Sequence, residues 1–133
     1  MCYDAATMTK NAEQYAARYG SKASWEQIQQ KLPAAYHING FEEPDLPVIT
    51  NEAPEKVSLH NWAFVPFVYA PQINGRPMNT LNARDDKIFS SRSIYNESAR
   101  KRRCLVMMDG FFDHHHKNGV AYPHFIQLKT KEN

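Results

Sequence analysis

The sequence predicts one domain that mixes helices with β-strands, and three observations point there. Helical spacing and end signals are confined to residues 9–32 and 90–103. Apolar and aromatic strand composition fills 57–69 and much of 104–129. An Asn118-Gly119 turn joins two of the expected strands. The 133 residues fit a single domain spanning 1–133, and a composition 42% hydrophobic and 12% aromatic supplies its core.

In chain order, Thr9 is expected to cap a first helix through Glu13, Tyr15, Ala16 and Tyr19, ended by Gly20. Ser24 and Gln27 have the form of a capping box that opens a second helix. That helix would bury Trp25, Ile28 and Leu32 and stop at Pro33. Residues 33–56, rich in Pro, Glu and Asn, read as loop with one short strand from Leu46 to Thr50. From Val57 to Tyr69 the aromatic run predicts a strand, which Pro66 places at an edge or breaks in two. A long polar loop follows over 70–86. Ser90 to Arg103 reads as a helix capped by Ser90 or Ser91, with a basic end that suits the helix dipole. Cys104 to Met108 is expected to be a buried strand, Asp109-Gly110 a turn, and Tyr122 to Lys129 the second arm of the hairpin.

The net charge is only +2, so bulk charge does not imply nucleic-acid binding; a local stripe, Arg100 to Arg103, would have to supply it. Two cysteines, Cys2 and Cys104, make no disulfide framework. Met1 to Met8 carries an acid and no apolar run of the signal-peptide kind, and no stretch approaches the roughly 20 apolar residues of a membrane span. The expected compartment is the reducing cytoplasm, with both thiols free.

Cys2 is the first residue with distinctive chemistry. The small side chain after Met1 favours removal of the methionine, which leaves an amine and a thiol on adjacent carbons. The amine condenses with an aldehyde to an imine, and the thiolate closes a five-membered thiazolidine ring on the same carbon. Reference pKa values of about 7.7–8.0 and about 8.5 let both groups react near neutrality. From its position alone Cys2 reads better as an unremarkable residue on a mobile terminus, and the segments that follow shift the balance. In the loop Asn82-Ala83-Arg84, the asparagine can orient an aldehyde oxygen and the arginine can hold a phosphate. Asp113 follows two aromatics, and serves as a general acid/base if they raise its pKa; otherwise it is an ordinary strand-end aspartate. Cys104 lies in an apolar run and reads as core. His114 and His116 can share one strand face, with Asp113 and His124 as the remaining candidate ligands. Solvated or DNA-facing histidines are the better reading, and no metal or cofactor is assigned.

These segments, taken in order, resemble one family, the SOS response-associated peptidases (SRAP). The resemblance rests on Met1-Cys2, Leu46-Pro47-Val48-Ile49, Trp62-Ala63-Phe64-Val65-Pro66, Asn82-Ala83-Arg84, Arg102-Arg103-Cys104-Leu105, Gly110-Phe111-Phe112-Asp113 and Tyr122-Pro123. It implies an α+β fold with a curved, antiparallel, barrel-like sheet flanked by helices. It further implies covalent capture of abasic sites in single-stranded DNA. Cys2 would be the nucleophile, Asn82 the orienting group and Asp113 the acid/base. Arg84, with Arg102 and Arg103, would hold phosphates, and Trp62 or Phe112 would stack on bases.

The chain departs from the family pattern in four ways. Asp113 stands where the family has a glutamate. Tyr3-Asp4-Ala5 replaces Gly-Arg-Phe after Met-Cys. A helical insertion runs from about Thr9 to Pro33. The sequence stops at Asn133, ahead of the part that holds the family's catalytic histidine, so the domain is expected to be truncated at its C-terminal end. Two alternatives stay open: a cysteine-dependent peptidase acting on other chains or on its own Met1-Cys2 bond, and a non-catalytic single-stranded DNA-binding remnant. No obligate protein partner is expected.

Overall fold

The structure, a computed structural model, describes residues 3–20, 22–64 and 80–129. Two antiparallel sheets and a pair of helices organise them. Strands β1 (Asp4–Thr7), β2 (Ala35–Asn39), β6 (Gly110–Lys117) and β7 (Val120–Ile126) form the first sheet in the order β2-β1-β6-β7. Strands β3 (Asp45–Thr50), β4 (Val57–Asn61) and β5 (Cys104–Val106) form the second, in the order β4-β3-β5. The mixed α+β class is as the sequence predicts. The barrel is not: among the described residues the two sheets stay separate and do not close on each other.

The helices α1 (Ala12–Tyr19) and α2 (Lys22–Lys31) form a tight hairpin. Asn11, not Thr9, caps α1: its side chain accepts from the Gln14 N–H, while the Gln14 side chain accepts from the Asn11 N–H in return. Thr9 is spent on Asp109, its N–H and hydroxyl both donating to that carboxylate at 2.9 and 2.8 Å. Ser24 lies inside α2 rather than at its head. Gly20 closes α1 with a positive φ of 75°, and its carbonyl accepts from the Trp25 indole N–H at 2.9 Å. Gln29 of α2 accepts from the Ala12 N–H, one of the donors that a helix start leaves without an intrahelical partner.

Trp25 is fully buried and stacks on Tyr15 at 4.8 Å. With Met8, Ala12, Ile28, Val57 and Met107 they make the core, and Ile49 and Leu59 of the second sheet pack against it. The helix pair therefore covers the second sheet.

The chain passes between the sheets at Met107–Asp109. The Met107 N–H donates to the Pro47 carbonyl of β3, its carbonyl accepts from the Thr7 hydroxyl of β1, and the Asp109 N–H donates to Ala6. Those three bonds fix the sheets relative to each other. Asp109-Gly110 is accordingly no turn; Gly110 already belongs to β6.

Two strands have no counterpart among the sequence expectations. β1 contains Asp4-Ala5-Ala6-Thr7, of which the first three are poor strand formers, yet all four are buried. Central position between β2 and β6 overrides their propensity. β2 lies in the stretch expected to be loop. The helix expected over 90–103 shrinks to α3 (Asn96–Lys101), preceded by turns. There Ser93 accepts from the Tyr95 N–H, and the Asn96 side chain donates to the Phe89 and Ser90 carbonyls, local bonds that compete with a helix. Cys104, expected in the core, is exposed, because β5 lies at an edge of its sheet. The hairpin is as expected: Lys117 pairs with Val120, and Asn118 and Gly119 take φ of 52° and 78°. The expected Val57–Tyr69 strand is observed as β4 to Asn61; Pro66 lies outside the described residues.

Candidate functional site

The site grows from β1. Its register pairs Asp4 with Asn39 of β2 and with Phe112 of β6. Side chains two residues along each neighbouring strand share the face of Asp4 and lie on its diagonals. These are His37 and His114. The buried Asp4 carboxylate meets both: Oδ1 is 3.1 Å from His37 Nε2, and Oδ2 is 4.0 Å from His114 Nε2. The ring of Phe112 meets His37 edge-on at 5.7 Å.

Tyr3 lies over this cluster. Its ring stacks on His114 at 5.6 Å and 12° and leans on Phe41 at 5.1 Å. Its carbonyl accepts from the Gly40 N–H at 2.6 Å. Gly40 in turn is where two further segments arrive. A Cβ there would lie 3.2 Å from both the Leu81 side chain and the Trp62 ring, tighter than ordinary contact, so a hydrogen at this position lets both approach. The Trp62 N–H donates to Pro44 at 2.7 Å. Tyr95 fastens the following loop: its hydroxyl donates to the Thr80 carbonyl at 2.9 Å and its ring meets Phe64 at 4.9 Å. Burial raises the pKa of that hydroxyl.

The arrangement brings together the chain neighbours of three residues singled out by sequence. Tyr3 follows Cys2, Leu81 precedes Asn82, and His114 follows Asp113. Cys2 itself lies outside the described residues. Asn82 is exposed, and Asp113 is half-buried on β6. The Asp113 carboxyl is held below its ordinary range, first by the charged amino group at the head of the chain, then by the hydrogen bond from the His114 N–H at 3.0 Å. The aromatic neighbours do not raise it. It is an anion near neutrality, able to accept a proton or to stabilise a cation beside it.

Trp62 is half-buried against Gly40, a wall of the cluster rather than an isolated surface ring. Phe112 is half-buried between His37 and Phe125. Asn82 and Arg84 line an open groove of about 380 Å³ with Lys87, Arg92 and Tyr95. Within it Arg84 is clamped by Asp86, Nε to Oδ1 and Nη2 to Oδ2 both at 3.0 Å. Each group holds the other in its charged form, so an incoming phosphate has to displace Asp86. Arg102 and Arg103 are exposed on the second sheet's side. Arg102 donates to the Ser98 hydroxyl, and the Arg103 backbone is hydrogen-bonded to Asn51 in both directions. Among the described residues no group of three or more His, Cys, Asp or Glu side chains could hold a metal ion. No helix among them is long and apolar enough to cross a membrane.

Sequence reasoning missed Tyr3, Asp4, His37 and Gly40. Asp4 stood out only as an unexpected acid near the N-terminus, and nothing marked His37, because β2 was not recognised as a strand. His114 was noticed only as a solvated or DNA-facing histidine, with a metal pairing to His116 weighed and set aside.

Three comparisons bear on these residues. The family model for SOS response associated peptidase (SRAP) matches residues 1–133. The abasic site processing protein HMCES of Pongo abelii is 32% identical over 77 residues, covering 53% of this chain and 22% of that protein. The crystal structure of a protein from Bacteroides thetaiotaomicron superposes with a TM-score of 0.73 at 30% identity, covering 98% of this chain and 56% of that one. The chain thus spans about a fifth of the curated relative and just over half of the solved structure. With the model matched from the first residue to the last, the chain belongs to the SRAP family.

Proposed function

We propose that the chain captures abasic sites in single-stranded DNA by forming a thiazolidine between Cys2, freed of Met1, and the ring-opened sugar aldehyde. One observation carries the reading: Tyr3 is pinned between Gly40 and His114, and the segment leading to Asn82 packs on the same Gly40. One peptide unit separates Cys2 from Tyr3, and consecutive Cα atoms are about 3.8 Å apart. That spacing supports a reading in which Cys2 acts together with Asn82 and Asp113. HMCES, by its name, processes abasic sites, which supports the same substrate here.

In this mechanism the Cys2 amine adds to the aldehyde carbon, and the carbinolamine loses water to give an imine. The Asp113 carboxylate is assigned to stabilise the iminium and to take up the proton that the amine gives off. Asn82 donates to the sugar oxygen. The Cys2 sulfur then adds to the imine carbon and closes the ring. The groove of Asn82, Arg84, Lys87 and Arg92 provides cations for the flanking phosphates. Trp62, at the wall of the site, offers an aromatic surface to a base.

The test is incubation of Met-processed protein with a single-stranded oligonucleotide bearing one abasic site, read on a denaturing gel. The expected result is a heat-stable shifted band that Cys2→Ser eliminates. Persistence of that band in Cys2→Ser protein would contradict the mechanism.

A further inference from the structure

Phe89 lies at the rim of the groove of Asn82, Arg84, Lys87 and Arg92. Its ring is 50% exposed, and its two chain neighbours, Ile88 and Ser90, both line the groove. A single exposed phenylalanine is ordinary on a protein surface. This one is paired. The Arg100 guanidinium lies over its ring, 5.2 Å from the centroid. Asn96 builds the pair. It precedes Arg100 by four residues on α3, so the two side chains share a face. Its Oδ1 accepts from Arg100 Nε at 3.0 Å, and its Nδ2 donates to the Phe89 and Ser90 carbonyls at 2.8 and 2.7 Å. Both ends of that amide are thus spent on holding the arginine against the aromatic. Two of the nearby acids are already matched: Asp86 clamps Arg84, and Glu97 meets Lys101 at 3.4 Å. Lys87, Arg92 and Arg100 then stand against Asp85.

We propose that Phe89 and Arg100 form a base-stacking platform at the rim of the groove, and that it takes an unpaired base of a single DNA strand whose phosphates lie along Lys87 and Arg92. The inference rests on the reading of this groove as the track for phosphates, and is independent of where Cys2 lies. A single strand presents phosphates and flat, unpaired bases by turns. The cations suit the first, and a fixed aromatic bearing a planar guanidinium suits the second. A duplex keeps the faces of its bases within its own stack, so the platform has nothing to receive from it. Every base has a π-face, and stacking therefore favours single strands over duplex without favouring a sequence.

The test is binding of an undamaged oligonucleotide, so that no covalent step enters. Phe89→Ala is expected to weaken binding of the single strand by about 5- to 150-fold, the effect of losing one base–aromatic stack. The same variant should bind a duplex of the same sequence as the wild type does. Arg100→Lys, which keeps the charge and loses the planar group, should also weaken single-strand binding. Wild-type affinity in either variant, or an equal loss on single strand and duplex, overturns the platform and leaves the groove reading standing. Failure of the wild-type protein to bind undamaged single strands removes the groove reading itself, and the platform with it. NMR of the wild-type protein needs no variant. On titration with the single strand, the Phe89 ring protons are expected to move upfield under the ring current of a stacked base. Ring resonances that stay in place while those of Lys87 and Arg92 shift would overturn the proposal even if the variants do not fold.

Discussion

Asp109 accepts the N–H and hydroxyl of Thr9 and the hydroxyl of Tyr15, which lies 2.9 Å from both carboxylate oxygens, with Lys10 at 3.9 Å. This aspartate, just ahead of β6, ties that strand to the start of α1. Burial first, then the hydrogen bond to Asp109 and that carboxylate's charge, push the Tyr15 hydroxyl far above its ordinary 10.0. The folded state then holds the phenolic proton more tightly than the unfolded state does. The stability this represents is present below pH 10.0 and is lost as the pH rises beyond it, when the unfolded chain ionises first. Tyr15→Phe should cost about 1–3 kcal/mol at neutral pH, the worth of a hydrogen bond to a charged group. It should also make denaturant midpoints fall less steeply above pH 10 than in the wild type. An unchanged alkaline slope would show that Tyr15 ionises as freely in the fold as out of it. Asp4 is buried too, but its contacts are two histidines beside Tyr3.

At the level of elements, the β6–β7 hairpin was the most legible part of the sequence, because Asn118-Gly119 states its turn in local chemistry. Trp25 and Ile28 likewise announced the buried face of α2 through helical spacing. β1 and β2 were not legible. Asp4, Ala5 and Ala6 of β1 have weak strand preference and are held by partners from distant parts of the chain, while Tyr36 and Ile38 of β2 sit in a short stretch flanked by Pro33 and Gly40 that reads as loop. Thr9 and Ser24 both looked like caps; tertiary bonds to Asp109 claimed the first, and α2 starting earlier absorbed the second. The hairpin also depends on a glycine whose reason is purely steric. A Cβ on Gly110 would lie 2.6 Å from Phe125 Cε2 and 2.7 Å from the Ile126 carbonyl oxygen, so the end of β7 lies directly over it. Gly110→Ala is expected to lower stability by about 1–3 kcal/mol through overpacking, read as a shift in denaturant midpoint. A variant as stable as the wild type would mean that β7 does not close over β6 as described.

Over the whole molecule, two sheets are joined by the Met107–Asp109 crossing and by a shared core under the helices. The strands β5 and β7 are left at sheet edges with Leu105, Val106, Val120, Phe125 and Ile126 exposed. The cluster of Tyr3, Asp4, His37 and His114 lies on the first sheet at β1, whereas the basic cluster of Arg102 and Arg103 lies beside the second. The sequence singled out Cys2, Asn82 and Asp113 but not the residues that pack around their neighbours. Gly40 matters only because Tyr3, Leu81 and Trp62 meet there, and no local pattern encodes that meeting. His114 matters because the register of β1 against β6 sets it diagonal to Asp4.

The most direct measurement of the central claim is mass spectrometry of the protein–DNA adduct after digestion of both components. The account predicts a peptide that begins at Cys2 and carries the sugar remnant less one water, attached through both the amine and the sulfur. A remnant on a lysine, or on a Cys2 whose amine is still joined to Met1, would contradict it.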